Sequence, residues 1–189
     1  MTCIVGLVDK GSVYIGGDSA GIAGLSISIR ADEKVFSNGP FIMGFTTSFR
    51  MGQILRYKFD PPQQTIKQDD MTYMVTSFID AVRQCFANNG FGDKEATRGG
   101  NFLVGYKGKL YNIESDFQVG VPAEAFDAVG CGSDLALGAL YASKGKTPEQ
   151  RITLGLGAAA FFNAGVAAPF LIMKQGKPVK APKPVKKTK

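Results

Sequence analysis

The sequence predicts an α+β fold with antiparallel sheets. Elements come in blocks: strands, two helices, strands, two helices, a strand. Strand pairs are joined by short turns, and no strand–helix–strand alternation of the kind that builds parallel sheets is seen. At 189 residues and 44% hydrophobic, the chain is one domain with enough apolar material for a sizeable core.

The elements read in order as follows. Cys3–Val8 and Val13–Ile15 form a hairpin across Asp9-Lys10-Gly11-Ser12, where Gly11 supplies the positive φ such turns need; the second strand stops at Gly16-Gly17-Asp18. Ile22–Ile29 alternates as a third strand that Asp32-Glu33-Lys34 ends, and Pro40–Thr46 is a fourth. Thr47-Ser48 caps a helix over Phe49–Phe59, which Pro61-Pro62 stops. A second helix follows from an apolar stripe of Met71, Met74, Val75, Phe78, Ile79, Val82 and Phe86, read as core, capped by Asp69 or Asp70 and ended by Asn88-Asn89-Gly90. Phe91–Gly100 is a polar loop. Asn101–Tyr106 and Lys109–Glu114 pair across Lys107-Gly108, and short strands fall near Phe117–Val119 and Phe126–Val129. Gly130-Cys131-Gly132-Ser133 turns into a helix over Asp134–Ser143. Thr147-Pro148-Glu149-Gln150 is a capping box with Pro at the first helical position, opening a helix to about Phe162, and Pro169–Lys174 is the last strand.

Composition removes several function classes. The chain has no His, which excludes Ser-His-Asp and Cys-His catalysis and His-ligated zinc. Hydrolysis would need a Lys, a carboxylate or a terminal amine as base. Three Cys without a CxxC pair suit a reducing compartment, with Cys3 and Cys85 read as small apolar core residues. Seven lysines fall within residues 174–189, and without them the net charge drops from +6 to −1. The basicity is therefore a Lys/Pro-rich tail (174–189) behind a near-neutral domain (1–173). Gln175–Lys189 reads as an extended, disordered arm, either solvated or bound to an acidic partner or nucleic acid. No signal peptide is recognisable, and a cytoplasmic location is expected. Ile152–Met173 is uncharged and long enough for a bilayer, but Gly155, Gly157, Asn163, Gly165 and Pro169 interrupt it, so a buried helix and strand are expected rather than a membrane span. Ser143-Lys144-Gly145-Lys146-Thr147 mimics the end of a phosphate-binding loop, but the position that needs the first Gly is Leu140, inside a helix, so the match is rejected.

The catalytic reading centres on Thr2. A strand that starts at the second residue ties down a chain end that would otherwise fray. Once Met1 is removed, Thr2 carries a hydroxyl nucleophile and a free α-amine base on one residue. That amine titrates at about 7.7–8.0, so much of it is neutral at physiological pH. Thr2, Asp18 and Lys34, spaced 2–18–34 around the hairpin, resemble the N-terminal motif of the proteasome β-subunit and HslV peptidase family of N-terminal-nucleophile hydrolases; the resemblance runs to about Met173.

The resemblance implies a four-layer αββα sandwich, two antiparallel sheets between helical layers. It also implies residue roles. Thr2 attacks, Lys34 stabilises its alkoxide, and Asp18 holds Lys34. Gly44 offers a backbone N–H to the oxyanion hole. Cys131 stands where the family has an amine-assisting Ser, and Ser133 caps the following helix and partly compensates. Asn163 stands where the family has Asp or Asn near the nucleophile. Gly21, Asp32, Ile42 and Thr46 line a small apolar specificity pocket with an acidic rim. No cofactor or catalytic metal is implied, with room left for a structural monovalent cation. Stacked homo-oligomeric rings confine the sites, a separate ATP-dependent unfoldase feeds them, and unfolded polypeptide is the substrate. Two other classes stay open: a non-catalytic shell or scaffold protein, and an amidase of this fold acting on a small amide.

Overall fold

A computed structural model of the chain describes residues 1–92, 99–175 and 177–179. In chain order the strands are β1 (Cys3–Asp9), β2 (Ser12–Gly17), β3 (Ala20–Ala23), β4 (Ser26–Ile29), β5 (Val35–Asn38), β6 (Phe41–Phe45), β7 (Phe102–Tyr106), β8 (Lys109–Ile113), β9 (Val119–Gly120), β10 (Phe126–Gly130), β11 (Leu171–Lys174) and β12 (Lys177–Val179). The helices are α1 (Phe49–Tyr57), α2 (Asp70–Tyr73), α3 (Ile79–Asn88), α4 (Ser133–Ala142) and α5 (Pro148–Phe162), with a π-helical stretch, Met74–Phe78, between α2 and α3.

Two five-stranded antiparallel sheets form, in the orders β10-β1-β2-β11-β12 and β5-β6-β7-β8-β9. Alternation along β1 sends Ile4 to one face and Cys3, Val5 and Leu7 to the other. Ile4, Val13 and Ile15 meet Val35, Ile42, Leu103 and Leu110 of the second sheet. Cys3, Val5 and Leu7 pack instead under Leu140 of α4 and Ile152, Leu156 and Ala159 of α5. On the far side of the second sheet, Phe41, Met43, Phe45 and Tyr106 meet residues of α1 and α3, with Phe41 stacked on Tyr106 at 4.4 Å.

Several expectations need correction. The single strand over Ile22–Ile29 is a two-stranded ribbon, β3 and β4, because Gly24 takes a positive φ (59°) and turns the chain. Lys34 does not end a strand at the surface; it leads into β5, an element with no alternation long enough to announce it. Met71 and Val75 are exposed, and Tyr73 is buried in their place. The π turn holds one residue more than an α turn and rotates the preceding residues off the stripe. The strand expected at Phe117–Val119 is Val119–Gly120. Lys177–Val179 pairs with Ile172–Lys174, so the arm begins as a strand; its course beyond Val179, and most of the Phe91–Gly100 loop, lie outside the described residues.

β2 does not stop before its glycines. It runs through Gly16 and Gly17, which thin it on both faces. A Cβ at Gly16 would lie 2.3 Å from Ile152 of α5, and one at Gly17 would lie 2.9 Å from both Ile4 and Val35. The end of β2 thus sits close under a helix on one side and close over the second sheet on the other. Gly16→Ala is expected to cost about 1–3 kcal/mol through overpacking. Gly138→Ala on α4, where a Cβ meets nothing within 4 Å, is expected to gain about 0.5–1 kcal/mol. Urea titration of the two variants checks both signs.

Candidate active site

Thr2 immediately precedes β1 and is only 4% exposed. Across the ladder, the Asp18 N–H donates to the Cys3 carbonyl at 3.3 Å, which places Asp18 beside the residue that follows Thr2. The Asp18 side chain is saturated. One oxygen accepts from the Cys3 N–H at 3.0 Å and from Lys34 Nζ at 2.8 Å; the other accepts from the N–H groups of Ala20 at 2.9 Å and Ala167 at 3.2 Å. Lys34 Nζ also donates to the Ala20 carbonyl at 2.7 Å. Both side chains of this ion pair are almost wholly excluded from solvent.

Burial decides the electrostatics of Lys34. It draws the ammonium's pKa below the usual lysine value, against the opposing pull of the Asp18 carboxylate. Two of its three N–H donors are used, and the third has no partner among the described residues. The Phe49 ring stands 5.6 Å from Nζ and carries the Arg30 guanidinium at 3.9 Å, which shields the cation from water. Next door, burial and the Asp18 charge push the Cys3 thiol up to about 12, so Cys3 is an inert packing residue.

The other end of Thr2 is held by the β10–α4 turn and the end of α5. The Thr2 backbone N–H donates to Cys131 Sγ at 3.3 Å, and the Thr2 hydroxyl donates to the Met1 carbonyl. The single thiol proton of Cys131 has two acceptors in reach, Asn163 Oδ1 at 3.3 Å and the Thr2 carbonyl at 3.5 Å. Asn163 Nδ2 donates to the Cys131 carbonyl at 2.7 Å, and Asn163 Oδ1 also accepts the Gly165 N–H at 2.8 Å. Asn163 is thus both the C-cap of α5 and the brace of the Cys131 turn.

The remaining expected residues are placed differently. Ser133 does not cap α4. It is the first helical residue, Gly132 holds the cap position, and the Ser133 hydroxyl turns to Asp134 at 3.4 Å. The N–H of Thr46 donates to Asn101, so strand alternation puts the Gly44 N–H in the same β6–β7 ladder, opposite Leu103, and away from the oxyanion role. Gly44 serves packing: a Cβ there would lie 2.5 Å from Ile4 and 2.8 Å from Ile15. Gly21, Asp32, Ile42 and Thr46 do not converge. Ile42 is fully buried between the sheets because it lies two pleats deeper than Thr46 on the same face of β6. Asp32 is held in a surface ion pair by Arg30 at 2.6 Å, and Gly21 sits under the Arg30 stem. Thr46 lines a separate cavity with Gly130 and Ser133. Sequence reasoning missed Phe49, which carries only the signal of a helix-start aromatic, and the backbone N–H groups of Cys3, Ala20 and Ala167, which have no sequence signal.

No family model matches the sequence, and no curated protein matches it. Solved structures do. Over 92% of this chain, the BPH of Thiobacillus denitrificans superposes with a TM-score of 0.76 at 20% identity, with 97% of that chain covered. The same protein in complex with epoxomicin gives 0.75 at 19%, again with 92% and 97% of the two chains covered. HslV from Trypanosoma brucei gives 0.68 at 17%, with 92% of this chain and 98% of that one covered. The chain has an HslV-like fold. In this fold a buried ion pair hangs from the hairpin that begins at Thr2, with a thiol and an amide at the backbone nitrogen of the same residue.

The buried pair makes a stability prediction. Asp18→Asn leaves the Lys34 ammonium without its counter-charge and is expected to cost about 3–5 kcal/mol. The loss eases as pH rises and Lys34 releases its proton, since a lowered folded pKa means that the folded state favours the neutral amine. Urea midpoints of wild type and D18N at pH 7 and pH 9 read this out.

Proposed function

We propose that the chain is a threonine peptidase of the N-terminal-nucleophile type, with the four-layer αββα arrangement, acting on unfolded polypeptide after loss of Met1. The observation that carries this reading is the buried Lys34–Asp18 pair, 2.8 Å apart and anchored on the N–H of the residue after Thr2. In a polypeptide without His, this buried ammonium, tied through Asp18 to the residue after Thr2, is the cation we assign to the Thr2 alkoxide.

The steps follow from the residues. With Met1 gone, the Thr2 nitrogen is an amine, and Cys131 Sγ, 3.3 Å away, orients it. The amine takes the Thr2 hydroxyl proton, directly or through a water, as the oxygen attacks the scissile carbonyl carbon. The spare N–H of Lys34 stabilises the alkoxide, and Asp18 keeps the ammonium charged in its dry site. The tetrahedral intermediate collapses to an ester on Thr2, the amine gives its proton to the leaving nitrogen, and water hydrolyses the ester. Confinement in homo-oligomeric rings, with an unfoldase supplying substrate, keeps so general a nucleophile from folded proteins. Among the described residues no helix is long and apolar enough to cross a membrane.

One observation favours a second reading. With Met1 attached, the Thr2 nitrogen is an amide donor to Cys131 and the hydroxyl is engaged by the Met1 carbonyl, so the chain in that form has no base and would act as a scaffold.

Peptide release from an unfolded polypeptide tests the reading. Thr2→Ala should abolish it, and Lys34→Ala should cut kcat/KM by about 10²-fold or more. Activity should climb with pH through about 7.7–8.0 as the amine loses its proton. It should fall again before pH 10.5, because burial lowers the Lys34 pKa below that ordinary value. Release that is unchanged in Thr2→Ala would refute the assignment.

A further inference from the structure

The end of the molecule away from Thr2 is built from hairpin tips, and lysines occupy them. Asp9 pairs with Ser12 and Tyr106 with Lys109, which leaves the two-residue loops Lys10-Gly11 and Lys107-Gly108. Both residues of each loop have positive φ, 48° and 73° in the first, 47° and 73° in the second. Such loops ordinarily take Asn or Asp before the Gly, because those side chains tolerate the left-handed region. Lysine gains nothing from the turn itself, yet it stands at both tips. The two tips touch: a Cβ on Gly108 would lie 2.5 Å from the Gly11 carbonyl oxygen. β11 ends at the same spot, where the Gln175 N–H donates to the Val13 carbonyl at 2.8 Å and Gln175 Oε1 accepts the Gly108 N–H at 3.2 Å. The 7 residues of β1 separate this pole from Thr2, a span of about 25 Å.

The charge at this pole is poorly balanced. Lys10 is exposed. Lys107 and Lys109, each more than half exposed, share one carboxylate, Asp70, at 3.5 and 2.9 Å. Neither Lys10 nor Lys174 has an ion-pair partner among the described residues, although Asp9 adjoins Lys10 in the chain. The β11–β12 register sets Lys174 opposite Lys177, and like charges at facing positions weaken a ladder. β12 starts from this pole, and Lys180, Lys183, Lys186, Lys187 and Lys189 follow, with no Asp or Glu among residues 175–189. From Lys177 to Lys186 every third residue is Lys.

We propose that this pole, together with the lysines that follow it, is a docking surface for duplex nucleic acid, held through its phosphate backbone without regard to base sequence. It stands apart from Thr2 and does not depend on Thr2 being a nucleophile. Every cation in it is Lys, a point charge that neutralises phosphates without reading bases. Residues 175–189 carry no Arg, Leu, Ile or aromatic residue to anchor in a protein pocket or a lipid surface. The lack of an aromatic also removes base stacking, which favours a duplex over a single strand. Three residues of extended chain span about 10 Å, so the repeat lays charge out along a line, as a linear polyanion does.

Fluorescence anisotropy of a labelled DNA duplex, titrated with the full chain, tests this. Affinity should fall by about 10³-fold or more between about 50 and 200 mM salt, as 6–10 phosphate contacts require, and should not change when the base sequence is scrambled. Lys10→Asn combined with Lys107→Asn gives each turn the residue it prefers, so the urea midpoint should hold or rise. Affinity should nevertheless drop on the order of tenfold, with a log–log salt slope shallower by about 2. Lys180→Gln, Lys183→Gln and Lys186→Gln together should weaken binding further. No binding at the lower salt, or undiminished binding by the turn variant, overturns the surface. So does displacement of the duplex by polyglutamate, or by phosphatidylserine vesicles, as effectively as by unlabelled duplex at equal charge: the first result makes the partner an acidic polypeptide, the second a lipid surface.

Discussion

The Lys34–Asp18 ion pair is the constraint around which the fold is arranged. A charge pair removed from water costs more than it returns unless its remaining hydrogen-bonding capacity is met. Here three backbone N–H groups converge on the carboxylate, from β1, from the start of β3 and from the segment between α5 and β11, and a carbonyl takes a second proton of the ammonium. Four separate parts of the chain are therefore pinned to one spot. A site so thoroughly supplied with backbone donors is expensive to build for stability alone, since apolar residues of similar volume would serve the core as well.

Close approach of the layers makes that convergence achievable. Gly16 and Gly17 let α5 and the second sheet come down on the same end of β2, and Gly44 lets β6 press against Ile4 and Ile15. The Lys34 stem then runs between the sheets instead of out into solvent. Glycine at these positions is a packing device for the site, and each change that restores a side chain there loosens the shell that holds the cation.

Much of this was legible in the sequence. The hairpin that starts the chain, the Ser48 and Asp69 caps and the Thr147 capping box were readable because each rests on local chemistry that a few neighbours determine. Thr2, Asp18 and Lys34 are named by their 2–18–34 spacing and the resemblance it carries, Cys131 and Asn163 by that resemblance alone, and the structure brings the five to one end of β1. The specificity pocket was not legible. Whether Ile42 faces a cleft or the core depends on how far the second sheet overlaps the first, and nothing local to Ile42 encodes that. The same holds for Gly44, whose N–H is committed by the register with β7, and for Ser133, whose hydroxyl is one residue too late to cap. The π stretch was invisible because its residues keep an ordinary helical composition, and only Tyr73 packing inward reveals the change of phase.

The central claim is that residue 2 becomes a nucleophile whose reactivity depends on the buried cation. Its most direct measurement is the intact mass of the purified chain before and after incubation with a covalent inhibitor directed at an N-terminal Thr, followed by mapping of any adduct. The account predicts loss of one Met, a single covalent adduct at Thr2 in the wild type, and much slower adduct formation in a folded Lys34→Ala chain. A folded chain that begins at Thr2 and acquires no mass, or acquires it equally fast without Lys34, would contradict it.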